Sequence, residues 1–468
     1  MAATSYEREA AGVVLEEARA SEAEAARAPA SAAAANLHRI VIVGGGAGGL
    51  VLATKLGDAL GRRGKARVTL IDANLTHVWK PLLHEVATGT LDSHKDDVIY
   101  LGHAHDHGFD FQQGRMEGLD RAGKRVLLAP VLDDRGHEVI PARAIGYDTL
   151  VVAIGGICND FGTPGVKEHC MFLDSHIQAE QVQKCLLNAC LRAQNQPGPL
   201  REDQLKIAII GAGATGVELA AELHKATRQL VSYGLDRIDP ERDVRITLIE
   251  AAPAILPALP ERLQKATLHE LERLGVRVCT GERVVEVTEG EVRCASGLVV
   301  PAEIRVWSAG VKAPDFLGGI DGLETNRVNQ LVVDQTLKTT RDENIYAIGD
   351  CAAVPQPGQE RPVPPRAQSA YQEAMTLART LRHRLEGKPP VPFVYKDYGS
   401  LVSLSYSSVG ELMGNLLGSV MLEGRLARLT YLSLYKKHQL ALHGLSWVVL
   451  ATLINLIRLR TEPRLKLH

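Results

Sequence analysis

Arg39-Ile40-Val41-Ile42-Val43 runs straight into Gly44-Gly45-Gly46-Ala47-Gly48-Gly49, and apolar residues then recur at helical spacing from Leu50 to Leu60. A short apolar run, a glycine turn and an amphipathic stretch read as strand, turn and helix. Arg67-Val68-Thr69-Leu70-Ile71 supplies a second strand, which closes on Asp72. Gly44, Gly46 and Gly49 form a G-x-G-x-x-G. In this pattern the first glycine permits the tight turn, the second lets the backbone approach a pyrophosphate, and the third lets the helix pack close to the sheet. Free N–H groups and the helix dipole at that end favour phosphate. A carboxylate at the end of the next strand, here Asp72, is placed for ribose hydroxyls.

The same grammar returns further along. Lys206-Ile207-Ala208-Ile209-Ile210 leads into Gly211, Gly213 and Gly216, a helical stretch runs from Val217 to Leu230, and Arg245-Ile246-Thr247-Leu248-Ile249 closes on Glu250. One isolated match is as readily an ordinary glycine-rich turn as a cofactor site. Two matches in the same context, each ending on a carboxylate, make an internal duplication. The expected fold class is therefore α/β, with two Rossmann-like dinucleotide-binding domains. Glu250 repels a 2′-phosphate and Ala251-Ala252 brings no arginine, so the second site is expected to take NADH rather than NADPH.

Bulk properties narrow the class. A chain of 468 residues can hold two or three domains with sizeable cores, and 53 Lys and Arg against 55 Asp and Glu leave no basic excess for nucleic acid. The cysteines, Cys158, Cys170, Cys185, Cys190, Cys279, Cys294 and Cys351, form no C-x-x-C pair and read as buried thiols in a reducing compartment. Residues 1–36 are rich in Ala and Glu and carry no apolar core of a signal peptide, so they read as a disordered tail. His103, His105 and His107 would share a face on a strand, but a polar surface loop is the expectation and no metal is assigned.

The longest apolar stretch, Leu440 to Ile457, lies near the chain end with Lys436 and Lys437 before it and Arg458, Arg460, Arg464 and Lys466 after it. It is at the lower edge of the roughly 20 residues that a spanning helix needs. Basic residues on both flanks suit a helix lying on an anionic leaflet rather than one crossing it.

With both glycine turns placed, the remaining motifs resemble the two-dinucleotide flavoprotein family. Tyr147 to Gly156 is similar to the strand that links its FAD and NAD domains, with Ile154 where Thr is usual. Ile345-Tyr346-Ala347-Ile348-Gly349-Asp350 is similar to the segment whose Asp binds the FAD ribityl chain. Three further stretches resemble the single-subunit type II NADH:quinone oxidoreductases, in particular their bacterial branch. They are His77-Val78-Trp79-Lys80-Pro81-Leu82-Leu83-His84-Glu85-Val86-Ala87-Thr88-Gly89, Pro364-Pro365-Arg366-Ala367-Gln368-Ser369-Ala370-Tyr371-Gln372, and the end from Leu434 to Gly444 with Pro463 to His468. The resemblance runs from Leu37 to His468.

What it implies is specific. FAD contacts are expected at Gly44, Gly45, Gly46, Ala47, Gly48, Gly49, Asp72, Lys80, Ala153, Gly155, Gly349, Asp350 and Ala367. NAD contacts are expected at Gly211, Gly213, Thr215, Gly216, Glu218, Glu250 and Gly310. Gln368 and Gln372 would border a quinone tunnel, with Glu373 where the family often has a second Gln, and Glu218 would stand near the flavin and nicotinamide rings as the candidate catalytic residue. Without the resemblance, two Gln one turn apart read as an ordinary helix surface, and Glu218 as a first-turn acid on a helix dipole. The implied domains are the tail 1–36, FAD-binding 37–160, NADH-binding 161–303, FAD-binding again 304–385, and a C-terminal domain 386–468 with a membrane-associating helix.

The implied reaction is non-proton-pumping: a hydride passes from NADH to FAD and two electrons go on to a membrane quinone. The enzyme would be peripheral on the cytoplasmic face of the inner membrane, with a homodimer left open. Two alternatives stay alive. A sulfide:quinone oxidoreductase needs reactive cysteines near the flavin, and Cys158 and Cys351 are expected on strand ends facing that region; an NADH-sensing, redox-regulated binding flavoprotein needs no membrane anchor at all.

Overall fold

The computed structural model describes residues 37–77, 79–91, 97–404, 407–414, 418–423, 436, 438–442, 444–458 and 465. The expected tail, residues 1–36, lies outside the described residues. The chain forms two compact units, and it passes between them repeatedly. One draws on the described residues of Met1–Val78, Asp97–Ile157 and Val311–Tyr395, the other on those of Trp79–Asp96, Cys158–Gly310 and Lys396–His468.

The first unit opens with β1 (His38–Val43), α1 (Gly49–Leu56) and β2 (Ala66–Asp72). The helix expected to reach Leu60 changes at Gly57 into a single π turn, Gly57–Gly61. A short helix of the second unit, α2 (Leu83–Ala87), intervenes. Then come α3 (Tyr100–His107), β3 (Asp110–Gln113) and β4 (Thr149–Val152) of the first. The second unit follows with β5 (Met171–Phe172), α4 (His176–Asn195), β6 (Lys206–Ile210), α5 (Ala214–Ser232), β7 (Arg245–Glu250), β8 (Arg277–Thr280) and β9 (Ile304–Trp307). The chain then returns to the first unit for β10 (Ile345–Ala347) and α6 (Ala367–Leu385), and to the second for β11 (Gly399–Leu404) and α7 (Leu445–Arg458).

Each unit is built on a parallel sheet of five strands, ordered β10-β4-β1-β2-β3 in the first and β5-β9-β6-β7-β8 in the second. In both, the strand that precedes the glycine turn is central. It pairs in parallel on one side with the strand that ends in the acid, Val43 opposite Ile71 and Ile210 opposite Ile249. On the other side it pairs with a later strand, Val43 opposite Val152 and Ile210 opposite Trp307. The connections leave the central strand in opposite directions, the switch point at which such sheets bind ligands. Parallel strands covered on both faces are apolar along most of their length, which is why Ile, Val and Leu dominate these runs. Ile40, Ile42, Leu50, Leu70 and Leu150 are fully buried in the first unit, as are Ile209, Leu219 and Leu248 in the second. Each contributes about 1.5–3 kcal/mol by leaving water.

Candidate functional site

The first glycine turn is shaped from three directions. Gly44 has φ +102°, and a Cβ there would stand 2.3 Å from the Ala153 carbonyl oxygen. A Cβ on Gly49 would stand 1.8 Å from the Gly44 oxygen, so the helix can approach the turn only as glycine. At Gly46, by contrast, a Cβ would meet nothing within 4 Å. The first and third glycines are thus required by the protein's own packing, while the second faces open space, as a pyrophosphate seat requires. Asp72 completes the turn. Its Oδ2 accepts from the Gly45 N–H at 2.7 Å and its Oδ1 from the Asn74 N–H at 2.8 Å. Tyr100 Oη donates to the Gly45 carbonyl at 2.8 Å, and His77 Nδ1 lies 2.9 Å from the same oxygen. Gly155, just past β4, is left-handed with φ +75°.

The second turn repeats this chemistry with different residues. Gly211 has φ +105°, and a Cβ there would stand 2.8 Å from the Ala309 backbone N. A Cβ on Gly216 would stand 1.9 Å from the Gly211 oxygen, and one on Gly213 would meet nothing within 4 Å. Glu250 Oε2 accepts from the Ala212 N–H at 2.7 Å and Oε1 from the Ala252 N–H at 2.8 Å. Each acid therefore ties its turn to the end of its strand. Carboxylate oxygens have further lone pairs, so ribose hydroxyls can still be met. Gly213 caps α5, Thr215 and Gly216 lie in its first turn, and Gly310 follows β9 with φ +67°. The residues present fit a dinucleotide at each turn.

The other FAD candidates divide. In the first unit Gly349 is left-handed with φ +74°, and Ala367 opens α6, with Gln368 and Gln372 half-buried on its first two turns. Asp350 is half-buried, and its backbone carbonyl accepts from Gln330 Nε2 at 2.9 Å. Glu373, beside Gln372, is buried, and its Oε2 accepts from the Gly349 N–H at 2.6 Å. Burial first, and the nearby Asp350 in addition, push its carboxyl up to about 8, against the hydrogen bond that favours the charge. Lys80 lies in the second unit, exposed at the start of the 3-10 turn Lys80–Leu82.

Glu218 lies one turn into α5 and is only 6% exposed, so it is not the solvated first-turn acid that the sequence alone suggests. Its Oε1 accepts from the Ser403 N–H of β11 at 3.0 Å, and its Oε2 lies 3.5 Å from His84 Nδ1 of α2. Burial holds His84 down at about 4, so the imidazole is neutral at physiological pH. The sequence singles out Glu218 as a candidate and names Glu373 only as the residue that stands where the family often has a second Gln; it does not single out His84, Tyr100 or His77. His77 and His84 sit inside the stretch that carries the family resemblance; Tyr100 has no local signature.

Two expectations change. The His103, His105 and His107 segment is not a loop but the helix α3. His103 is buried, with Nε2 2.8 Å from Thr54 Oγ1, and His107 Nδ1 lies 3.0 Å from Asp58, so both are anchors of the helix to its unit. No group of His, Cys, Asp and Glu among the described residues could hold a metal ion. The thiols weighed for sulfide chemistry are also not activated. Cys351 is fully buried, its Sγ donates to the carbonyls of Ile348 and Val152 at 3.3 and 3.6 Å, and burial pushes it up to about 12. Burial and then Asp174 push the Cys158 thiol well above its ordinary range.

Comparison with known proteins agrees with this geometry. Residues 38–374 match the family model of pyridine nucleotide-disulphide oxidoreductases. The chain is 45% identical over 447 residues to a type II NADH:quinone oxidoreductase of Haemophilus influenzae, covering 92% of this chain and all of that one. It is 31% identical over 391 residues to one of Staphylococcus aureus, covering 80% of this chain and 90% of the relative. Among solved structures it shares the fold of NDH2 from Plasmodium falciparum in complex with NADH, with a TM-score of 0.76 at 20% identity, over 92% of this chain and all of that one. The sulfide:quinone oxidoreductase of Aquifex aeolicus also shares the fold, with a TM-score of 0.67 at 18% identity, over 87% of this chain and 92% of the other.

Proposed function

The chain belongs to the type II NADH:quinone oxidoreductases, within the pyridine nucleotide-disulphide oxidoreductase family, and from that premise we propose which of its residues carry the reaction. FAD and NAD(H) are its cofactors and a quinone is its electron acceptor. When bound, FAD supplies the redox chemistry, so that NADH, a proton and quinone give NAD⁺ and quinol. The protein's part is to seat two dinucleotides and to exclude competing acceptors.

Gly44 to Gly49, with Asp72, seats the FAD pyrophosphate and adenosine ribose. Gly349, Asp350 and Ala367 hold the other end of that cofactor. Gly211 to Gly216, with Glu250, seats NADH. A 2′-phosphate beside Glu250 would put two anions within hydrogen-bond distance, which favours NADH. Glu218, one turn into α5, serves the nicotinamide end of its nucleotide. Gln368 and Gln372 border the quinone. The observation that carries this reading is the pair of turns whose first and third glycines are sterically compulsory while the second faces open space.

The quinone is lipid-soluble, and we place the enzyme on the cytoplasmic membrane surface through α7. No described helix is long and apolar enough to cross a membrane. On α7, Leu445, Val449, Leu450 and Ile454 are exposed. Exposed apolar side chains on a helix with basic flanks suit the interface of an anionic leaflet.

The test is anaerobic. The purified protein is expected to be yellow from one FAD held without a covalent bond. NADH should bleach the flavin absorbance and a short-tailed quinone should restore it. A colourless protein that takes up no FAD, or a bleached one that quinone leaves bleached, overturns the reading.

A further inference from the structure

We propose that His84 is a positioning residue for Glu218: its Nδ1 edge, together with the Ser403 N–H, fixes the carboxylate in the orientation the reaction uses. The inference rests on the reading of Glu218 given above. It also stands on four features of the second unit.

First, both groups are removed from water, His84 at 2% and Glu218 at 6% exposure, so their mutual orientation is not averaged by solvent. Second, the carboxylate is held by two elements at once. Ser403 of β11 donates to Oε1 at 3.0 Å, and Oε2 lies 3.5 Å from His84 Nδ1 of α2. Third, the tautomer is determined. The Pro81 carbonyl is a backbone hydrogen-bond partner of the imidazole, and Nε2 has no partner among the described residues. The proton therefore sits on Nδ1, on the edge that faces both Pro81 and Glu218, and Nε2 carries the lone pair. Fourth, Nε2 is a buried acceptor that no group among the described residues satisfies. A buried unsatisfied acceptor destabilises a fold, and an apolar side chain of similar size would pack without that loss. An imidazole at this position is explained by what it does for Glu218 and for a donor group brought by a substrate, not by packing.

Glu218 alone has two single-bond rotations beyond Cβ and could turn away from the nicotinamide end. Held by the Ser403 N–H on Oε1 and flanked by the Nδ1 edge of His84 beside Oε2, it is kept in one rotamer before substrate arrives. Orientation of this kind acts on turnover more than on affinity, since it is the reacting geometry that is lost when the clamp is removed.

The experiment is a double-mutant cycle on the FAD-loaded enzyme with His84→Phe, His84→Asn, Glu218→Gln and the His84→Phe/Glu218→Gln pair. It is read twice, in melting temperature and in kcat and KM with NADH and a short-tailed quinone. His84→Phe keeps the volume and removes both nitrogens; His84→Asn restores an N–H near the position of Nδ1. The expected result is a fall in kcat of about tenfold or more for His84→Phe at full FAD content, with KM for NADH changed less. That loss should be absent when Glu218 is already Gln, and His84→Asn should recover most of it. The melting temperatures should show the same non-additivity. If His84→Phe leaves kcat within about twofold of wild type, or if its loss multiplies with that of Glu218→Gln, the proposal is overturned while the reading of Glu218 stands. If Glu218→Gln itself leaves turnover unchanged, the reading of Glu218 falls and the proposal with it.

Discussion

Glu250 does two things with one carboxylate, and they can be separated by substitution. Its oxygens tie the second glycine turn to the strand end through the Ala212 and Ala252 N–H groups, and in the reading proposed above its charge faces the place where a 2′-phosphate would arrive. Glu250→Gln keeps one acceptor oxygen and removes the charge. The preference for NADH over NADPH, measured as the ratio of kcat/KM values, is expected to fall by about tenfold, or roughly 1.4 kcal/mol. An unchanged ratio would show that the charge plays no part in selection. At this scale the sequence was legible wherever function follows from chain position. Asp72 and Glu250 could be read because each ends a strand that follows a glycine turn. Tyr100 could not, because the Gly45 carbonyl it binds is 55 residues away and nothing near either residue announces the contact. Glu373 is similar: its partner, the Gly349 N–H, is brought to it by tertiary packing alone.

The helix α6 is fixed to its unit at two places along one face. A Cβ on Gly48 would stand 3.0 Å from the Ala370 carbonyl, so α1 and α6 are packed at glycine distance, and one turn later Glu373 holds the Gly349 N–H. The second tie is titratable. The ordinary carboxyl value is 4.5 and the folded one is about 8, so between those limits the folded protein keeps a proton that the unfolded chain gives up. The stabilisation is fully present below 4.5 and is lost as pH rises through the folded value. Glu373→Gln preserves an acceptor for Gly349 and cannot ionise. Its melting temperature is expected to fall less than that of the wild type between about pH 5 and pH 8. Parallel curves for the two proteins would refute the assignment. The bounds of α6 follow from its apolar spacing alone, whereas α3 was misread for a physical reason. Alternating histidines suggest a surface or a two-residue repeat, but on a helix His103 and His107 fall one turn apart and both face inward, where Thr54 and Asp58 receive them.

At the scale of the whole molecule, the division of labour between chain segments is testable. The dinucleotide turns lie before residue 350 and α7 lies after 440, so removal of the chain from Leu440 should spare the one and abolish the other. The truncated protein is expected to keep its FAD and to be bleached by NADH at a rate close to that of the full chain. It should sediment apart from vesicles containing anionic lipid, and its turnover with long-tailed quinones should fall much further than with short-tailed ones. Loss of NADH-driven bleaching with FAD still bound would mean that the C-terminal region belongs to the hydride site.

The interleaving of the two units also sets an order of events on the ribosome. The sheet of the second unit is complete once β9 has emerged, at Trp307. The sheet of the first unit is not, although its central strand begins at His38, because β10 at Ile345–Ala347 and then α6 are still to be made. During translation, at about 5–20 residues per second, the earliest glycine turn waits roughly 15–60 seconds for the strand that closes its sheet. The nascent chain thus holds a second unit whose sheet is complete and a first unit whose sheet is open, with the apolar strand β4 lacking its edge partner β10. Until β10 arrives, the open edge of β4 is a template for pairing with other chains, so that interval is one of exposure to aggregation.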